Sequence, residues 1–247
     1  MEGVILDISQ DANVVHLMHG LPDFNITAGA RTLETIKSLP VGYHVCVIDP
    51  GVGTSRKGLI IKTGRGDYLI GPDNGVLIPA TRLLGGCKKI ISITNPQYMR
   101  QPVSPIFHGR DVFSPAAAHL SIGVPLEEFG PEIPLEKLVQ APYEESELYE
   151  NKIKAKVIQI NKYGSIHLNI LSETWDQFDV PKQQTVSINF GNKKIILPFL
   201  ETFGETMSGN PLILKDDYGR VEVAVNMGNF AKYYDVKVGD TCSIQKE

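Results

Sequence analysis

Two short segments carry the residue types that could do chemistry. The first is DPGVGTSR (49–56), in which Asp49 and Arg56 are separated by two glycines. Glycine lets a backbone turn tightly and approach a ligand, so Arg56 can swing back to pair with Asp49. The same residues also describe a Gly-rich turn with a surface salt bridge. A phosphate-binding loop is excluded, because GxxxxGK[ST] is absent. The second segment is FHGRD (107–111), which opens a helix. A histidine at a helix start sits near the positive end of the dipole, which favours the neutral ring that can accept a proton. A capping cluster with Asp111 in the first turn is the simpler alternative. A third segment, GPDNG (71–75), reads as an Asn-Gly turn with a helix cap, an architectural piece that can border a ligand.

Other polar residues invite less. His16 and His19 fall on an expected strand, where a spacing of three points them to opposite faces, so no metal site is expected there. His44, His119 and His167 are most simply structural. The chain has three cysteines, Cys46, Cys87 and Cys242, with no CxxC. That count points to a reducing, cytoplasmic setting without disulfide or zinc.

The elements that must position these segments change character along the chain. Residues 14–18, 44–49 and 88–94 read as buried strands, and 59–63 with 67–71 as a hairpin around GRG. Residues 26–39, 76–85 and 113–120 read as helices. This alternation predicts an α/β domain over 1–145 with a largely parallel sheet. In such sheets ligands sit at the carboxyl ends of strands, which is where Asp49 falls. EESELYE (144–150) reads as an acidic linker. Beyond it, seven short β-branched runs separated by NKYG, GNK and DDYG predict an antiparallel, barrel-like domain over 150–247, interrupted by one helical piece at 226–234. The 247 residues, 42% of them hydrophobic, suffice for two cores. A formal net charge of −4 argues against a nucleic-acid partner. No apolar run reaches transmembrane length, and the start is too acidic for a signal peptide.

Taken together, VIDPGVGTSRKG, GPDNG, FHGRDVFSPAAAHL, VEVAVNMGN and VKVGD resemble the S-adenosylmethionine hydroxide adenosyltransferases, relatives of fluorinase and chlorinase. The resemblance runs nearly the length of the chain. It implies an α/β domain followed by an antiparallel β domain, and a homotrimer whose substrate lies between the first domain of one subunit and the second of its neighbour. It implies hydrolysis of S-adenosyl-L-methionine to adenosine and L-methionine without a cofactor. The family's Asp–Arg–His set falls on Asp49, Arg56 and His108. The halogenating relatives lack this Asp and carry Ser in place of Gly109, so the motif resembles the water-using type. The sulfonium is already a good leaving group. What remains is to align a water with C5′ and take its proton, and positioning alone supplies at best roughly 7–11 kcal/mol of the barrier. Asp49 can hold the water, with Arg56 orienting the carboxylate; His108 is a relay or a second water ligand, and the sequence leaves the base undecided.

The resemblance also places Phe24 beside the ribose and methionine chain, with Phe107 among the substrate-binding residues. It places Tyr163 and Phe203 as stacking walls for adenine, and the backbone at Asn226 and Met227 on the adenine edge. Three departures stand out. Asn161 replaces an Asp that usually holds the methionine ammonium. Ser165 replaces an Asn that reads adenine. Asp217 replaces a Ser and is expected to supply the missing carboxylate. Relatives also begin with a strand ending in T-D-F-G, ahead of M-K-G-V-I. This chain starts at that last segment, about 15–20 residues short, which would leave strand backbone groups unpaired. Two other functions stay open: a non-catalytic adenosyl-binding protein and a halide-using adenosyl transferase.

Overall fold

The structure, a computed structural model, describes residues 1–247. Two compact units divide the chain, Met1–Pro142 and Tyr143–Glu247.

The first unit is built on a four-stranded sheet of β1 (Tyr43–Val45), β2 (Gly58–Thr63), β3 (Tyr68–Pro72) and β4 (Cys87–Ser92) in the order β1-β3-β2-β4. Only β1 and β3 pair in parallel; β2 runs antiparallel to both β3 and β4. The largely parallel sheet expected from the sequence is therefore corrected to a mixed one. The cause is the GRG turn: a short turn can join only antiparallel neighbours, whereas a parallel pair needs a crossover of a dozen residues or more. The crossover does exist, as α3 (Ile78–Leu83), and it joins β3 to β4 on either side of β2.

Helix α1 (Glu2–Ile8) leads the chain, and α2 (Ile26–Leu33) tightens into a 3-10 turn at Glu34–Ser38 instead of continuing to residue 39. A π-helical turn, Gly109–Phe113, runs into α4 (Ser114–Ser121). Ile60, Ile70 and Ile91 of the sheet pack with Phe113, Ala116 and Ala117 to form the core.

Two strand expectations fail. Residues 14–18 form no strand; Val15, Leu17 and Met18 are exposed and no neighbour supplies backbone partners. The strand expected at 44–49 is paired only at its start: β1 ends at Val45, and one further bond, Cys46 N–H to the Ile70 carbonyl, ties the chain to β3. His16 and His19, consequently, are not on opposite faces of a strand. Their rings meet at 2.9 Å, with Glu2 3.1 Å from the other His16 nitrogen.

The second unit is an antiparallel sheet curled toward closure. Its order is β10 (Pro211–Lys215), β11 (Arg220–Val225), β7 (Ile166–Leu171), β6 (Lys152–Ile160), β12 (Thr241–Lys246), β8 (Thr185–Phe190), β9 (Lys193–Pro198). A bridge between Phe199 and Ile213 links the two ends of that order, so little edge is left unpaired. The acidic stretch read as a linker belongs to this unit: β5 (Glu147–Tyr149) pairs with β6, and Glu145 forks onto the fully buried Arg220 at 2.7 and 3.1 Å. Helix α5 (Ser172–Phe178) was not expected. It puts Trp175 and Phe178, three apart on one face, into the barrel core, where Trp175 meets Phe199 edge-on. Helix α6 (Phe230–Tyr234) is the helical piece foreseen near 226–234. All three cysteines are free thiols. No helix is long and apolar enough to cross a membrane.

Candidate active site

Beyond Cys46 the chain runs to Asp49 without regular structure, and the GPDNG turn secures it there: Asn74 Nδ2 donates to the Ile48 carbonyl at 2.7 Å. The loop then doubles back through two local bonds, Thr54 Oγ1 to the Gly51 carbonyl and Arg56 N–H to Thr54 Oγ1. Gly53 (φ 78) sits where any Cβ would come within 2.7 Å of the Pro105 carbonyl oxygen. Only glycine lets this loop press on the segment that leads to His108.

The result is a convergence of three distant residues. One Arg56 NH2 donates to Asp49 Oδ2 at 2.5 Å and to His108 Nδ1 at 2.9 Å. The guanidinium also lies 5.3 Å above the Phe113 ring and donates to the Lys57 carbonyl. The Asp49 and Arg56 side chains are only 6% and 8% exposed. Asp49 Oδ1 and Arg56 Nε are buried with no hydrogen-bond partner. An unsatisfied buried carboxylate oxygen is costly, about 1–3 kcal/mol or more, and such groups mark places built for a polar guest.

His108 has a defined tautomer. A guanidinium can only donate, so Nδ1 accepts and the ring proton sits on Nε2. Burial pushes its pKa down, the Arg56 charge pushes the same way, and Asp49 and Asp111 oppose them; the net direction is down. Desolvation, with the Arg56 charge beside it, thus favours the neutral ring. Asp111 does more than cap. It is fully buried, accepts Arg110 Nε at 2.7 Å and Ser104 N–H at 2.9 Å, and so ties down the loop before His108. A Cβ on Gly109 would stand 3.3 Å from Val47 and from Met1 Sδ, so a side chain here would crowd the segment that leads to Asp49.

The other expected residues are placed as follows. Phe24 lies on the exposed turn before α2, with φ 59, a conformation uncommon for an aromatic residue. Phe107 is exposed beside His108, under the Arg110 guanidinium. In the second unit the structure gathers one set of loops. Asn161 Oδ1 accepts the N–H groups of Tyr163 and Ser165, so both its lone pairs are used inside the turn and none is left for an ammonium. Tyr163 projects from that turn, 67% exposed, and Ser165 is buried. Asn226 donates to the Thr206 carbonyl, fastening its loop to the short 3-10 turn Phe203–Glu205 that carries Phe203. The Asn226 backbone is taken by Asn210 and Gly209, so the edge left open is that of Met227 (φ 55), whose side chain is exposed. Asp217 is exposed on the β10–β11 turn.

Sequence reasoning missed Phe113 beneath Arg56, Asn74 behind Asp49, and the buried pair of His167 and Asp216, whose Nδ1 and Oδ2 are 3.0 Å apart. A polar residue between Ile166 and Leu168 was the one available signal for that pair. No group of three or more His, Cys, Asp or Glu side chains is placed to hold a metal ion.

Comparison with known proteins gives the family. Residues 1–130 match the model of the SAM hydroxide adenosyltransferase N-terminal domain, and residues 155–243 that of the C-terminal domain. A relative from Salinispora arenicola, named (R)-S-adenosyl-L-methionine hydrolase, is 34% identical over 96% of this chain and 88% of its own length. A fluorinase of Actinopolyspora mzabensis is more distant, 22% identical over 96% of this chain and 89% of its own. Among solved structures, a conserved protein of Thermotoga maritima aligns with a TM-score of 0.91 and 29% identity, covering 99% of this chain and 93% of that one.

Proposed function

Because this chain belongs to the SAM hydroxide adenosyltransferase family, we propose that it is an enzyme that works by in-line attack of a water on C5′ of S-adenosyl-L-methionine. The activity is hydrolysis of that substrate to adenosine and L-methionine. A bond forms between the water oxygen and C5′ as the C5′–S bond breaks. Its electron pair returns to sulfur, and the sulfonium becomes the neutral thioether of methionine.

The observation that carries the mechanism is the buried, unpartnered Asp49 Oδ1. It is the acceptor that can hold the water and take its proton. Arg56 fixes the other carboxylate oxygen, so the acceptor is aimed before substrate arrives. His108 Nδ1 is occupied by Arg56, which leaves Nε2–H to donate to the water oxygen. His108 therefore serves as the second water ligand and Asp49 as the base.

Phe24 and Phe107 flank the ribose and methionine chain, Tyr163 and Phe203 stack on adenine, and Met227, with Asn226 behind it, offers backbone to the adenine edge. Ser165 shapes that pocket floor. With the Asn161 oxygen spent in its own turn, the carboxylate for the methionine ammonium falls to Asp217. The working form is a homotrimer in the cytoplasm, a compartment in which the three free thiols persist.

Asp49→Asn keeps the shape and removes the base. Incubation with S-adenosylmethionine, with and without chloride, should give adenosine from the parent enzyme and a rate lower by about 10²–10⁴ from the variant. Parent-like hydrolysis by Asp49→Asn would remove Asp49 as the base. 5′-Chloroadenosine as the product, or no product, would replace hydrolysis by halide transfer or by binding alone.

A further inference from the structure

The turn that presents Tyr163 is clamped from two sides. On one side Ala231 N–H donates to the Gly164 carbonyl at 2.9 Å. The Asn229 side chain, which caps α6 through Lys232 N–H, lies so close over Gly164 that a Cβ there would come within 2.0 Å of it. On the other side stands a series of polar groups. Asp216 Oδ1 accepts the N–H groups of Tyr218 and Arg220, and Asp216 Oδ2 lies 3.0 Å from His167 Nδ1. A carboxylate only accepts, so His167 Nδ1 donates to it; Asn161 Oδ1 is taken by two backbone N–H groups, so the Asn161 amide nitrogen is what faces Nε2, which accepts. Asn161 Nδ2 reaches that Nε2 at 3.5 Å, while Asn161 Oδ1 holds Tyr163 and Ser165. Asp216 and His167 are nearly buried, with side chains 5% and 9% exposed. Polar groups at such positions cost more than the apolar residues that surround them on β7 unless they fix something.

We infer that His167, oriented by Asp216, is a positioning residue that acts through Asn161 to fix the turn presenting Tyr163 to the substrate. The inference rests on the reading of Tyr163 as a stacking wall for adenine. Asp216 decides which His167 nitrogen carries the proton. That choice decides whether Asn161 faces an acceptor or a competing donor, and the Asn161 amide in turn sets the backbone at Tyr163 and Ser165.

Asp216→Asn tests this with almost no change of shape. Its oxygen stays with the Tyr218 and Arg220 N–H groups, so its amide nitrogen faces His167, moves the ring proton to Nε2 and sets two donors against each other at Asn161. The expected result is a KM for S-adenosylmethionine raised about fivefold, with kcat within twofold. Hydrogen exchange at the Tyr163 and Ser165 amides should be faster. Tyr163→Ala should raise KM at least tenfold, and the double variant should be no worse than Tyr163→Ala alone, because one acts through the other. His167→Phe, which keeps a ring and removes both nitrogens, should repeat the Asp216→Asn result if that variant does not fold. Unchanged exchange at Tyr163 and Ser165, or KM effects that multiply in the double variant, would overturn the inference. Faster exchange together with an unchanged KM in Tyr163→Ala would instead overturn the adenine reading of Tyr163 and leave the positioning of the turn standing.

Discussion

At the scale of single residues, Arg56 is the pivot, since one of its nitrogens binds both Asp49 and His108. This arrangement sets the pH behaviour. Burial and the Arg56 charge hold the His108 pKa below the ordinary imidazole range, so the neutral ring persists as pH falls. Protonation finally costs the Arg56–Nδ1 bond and places two cations side by side. The kcat/KM profile should therefore be flat through neutrality and drop only below the usual histidine range. Arg56→Met should move that acid limb upward, besides slowing the reaction by an estimated 10²-fold or more as Asp49 loses its anchor. An acid limb that stays put in Arg56→Met would show that another group controls it.

At the scale of elements, the first unit depends on how its sheet edge is tied down. Asp67, with no exposed side-chain surface, receives Arg65 Nε at 2.7 Å, His44 Nε2 at 2.9 Å and the Gly42 N–H, and so binds β1 to the β2–β3 hairpin. Desolvation pushes the Asp67 pKa up, but the Arg65, His44 and Gly42 hydrogen bonds and the Arg65 charge outweigh it and bring it to about 2. A carboxylate lowered in the folded state stabilises at pH values above its unfolded value of about 3.9, and this is lost as pH falls toward 2. The contribution is on the order of 1–2 kcal/mol. Asp67→Asn should lower the unfolding midpoint at neutral pH and flatten its fall between pH 4 and 2; an equally steep fall would place the acid sensitivity elsewhere. The elements also show where patterning misleads. Residues 14–18 have strand-like composition but no partner, and a strand draws its hydrogen bonds only from a neighbour. The helix at 172–178 escaped notice because seven residues carry too few turns for a period to register, although Trp175 and Phe178 are spaced to face one core.

At the scale of the whole molecule, the proposed trimer makes a concentration-dependent prediction. If residues of two subunits complete each site, specific activity should fall on dilution as sedimentation shows trimers giving way to smaller species. Constant specific activity across that transition would place every needed residue within one chain.

By itself the sequence singled out Asp49, Arg56 and His108 as candidates, and showed the change from α/β to antiparallel β character and the strand runs of the second unit with the turns between them. Each is written in local signals: glycine where backbones must meet, alternation where one face is buried, polar turns between. Tertiary structure alone decided that Arg56 bridges Asp49 and His108 and that His167 meets Asp216. It also decided that the first sheet is mixed. Hydrogen bonds between residues about fifty apart, and the direction in which a strand meets its neighbour, depend on packing that no stretch of chain encodes alone.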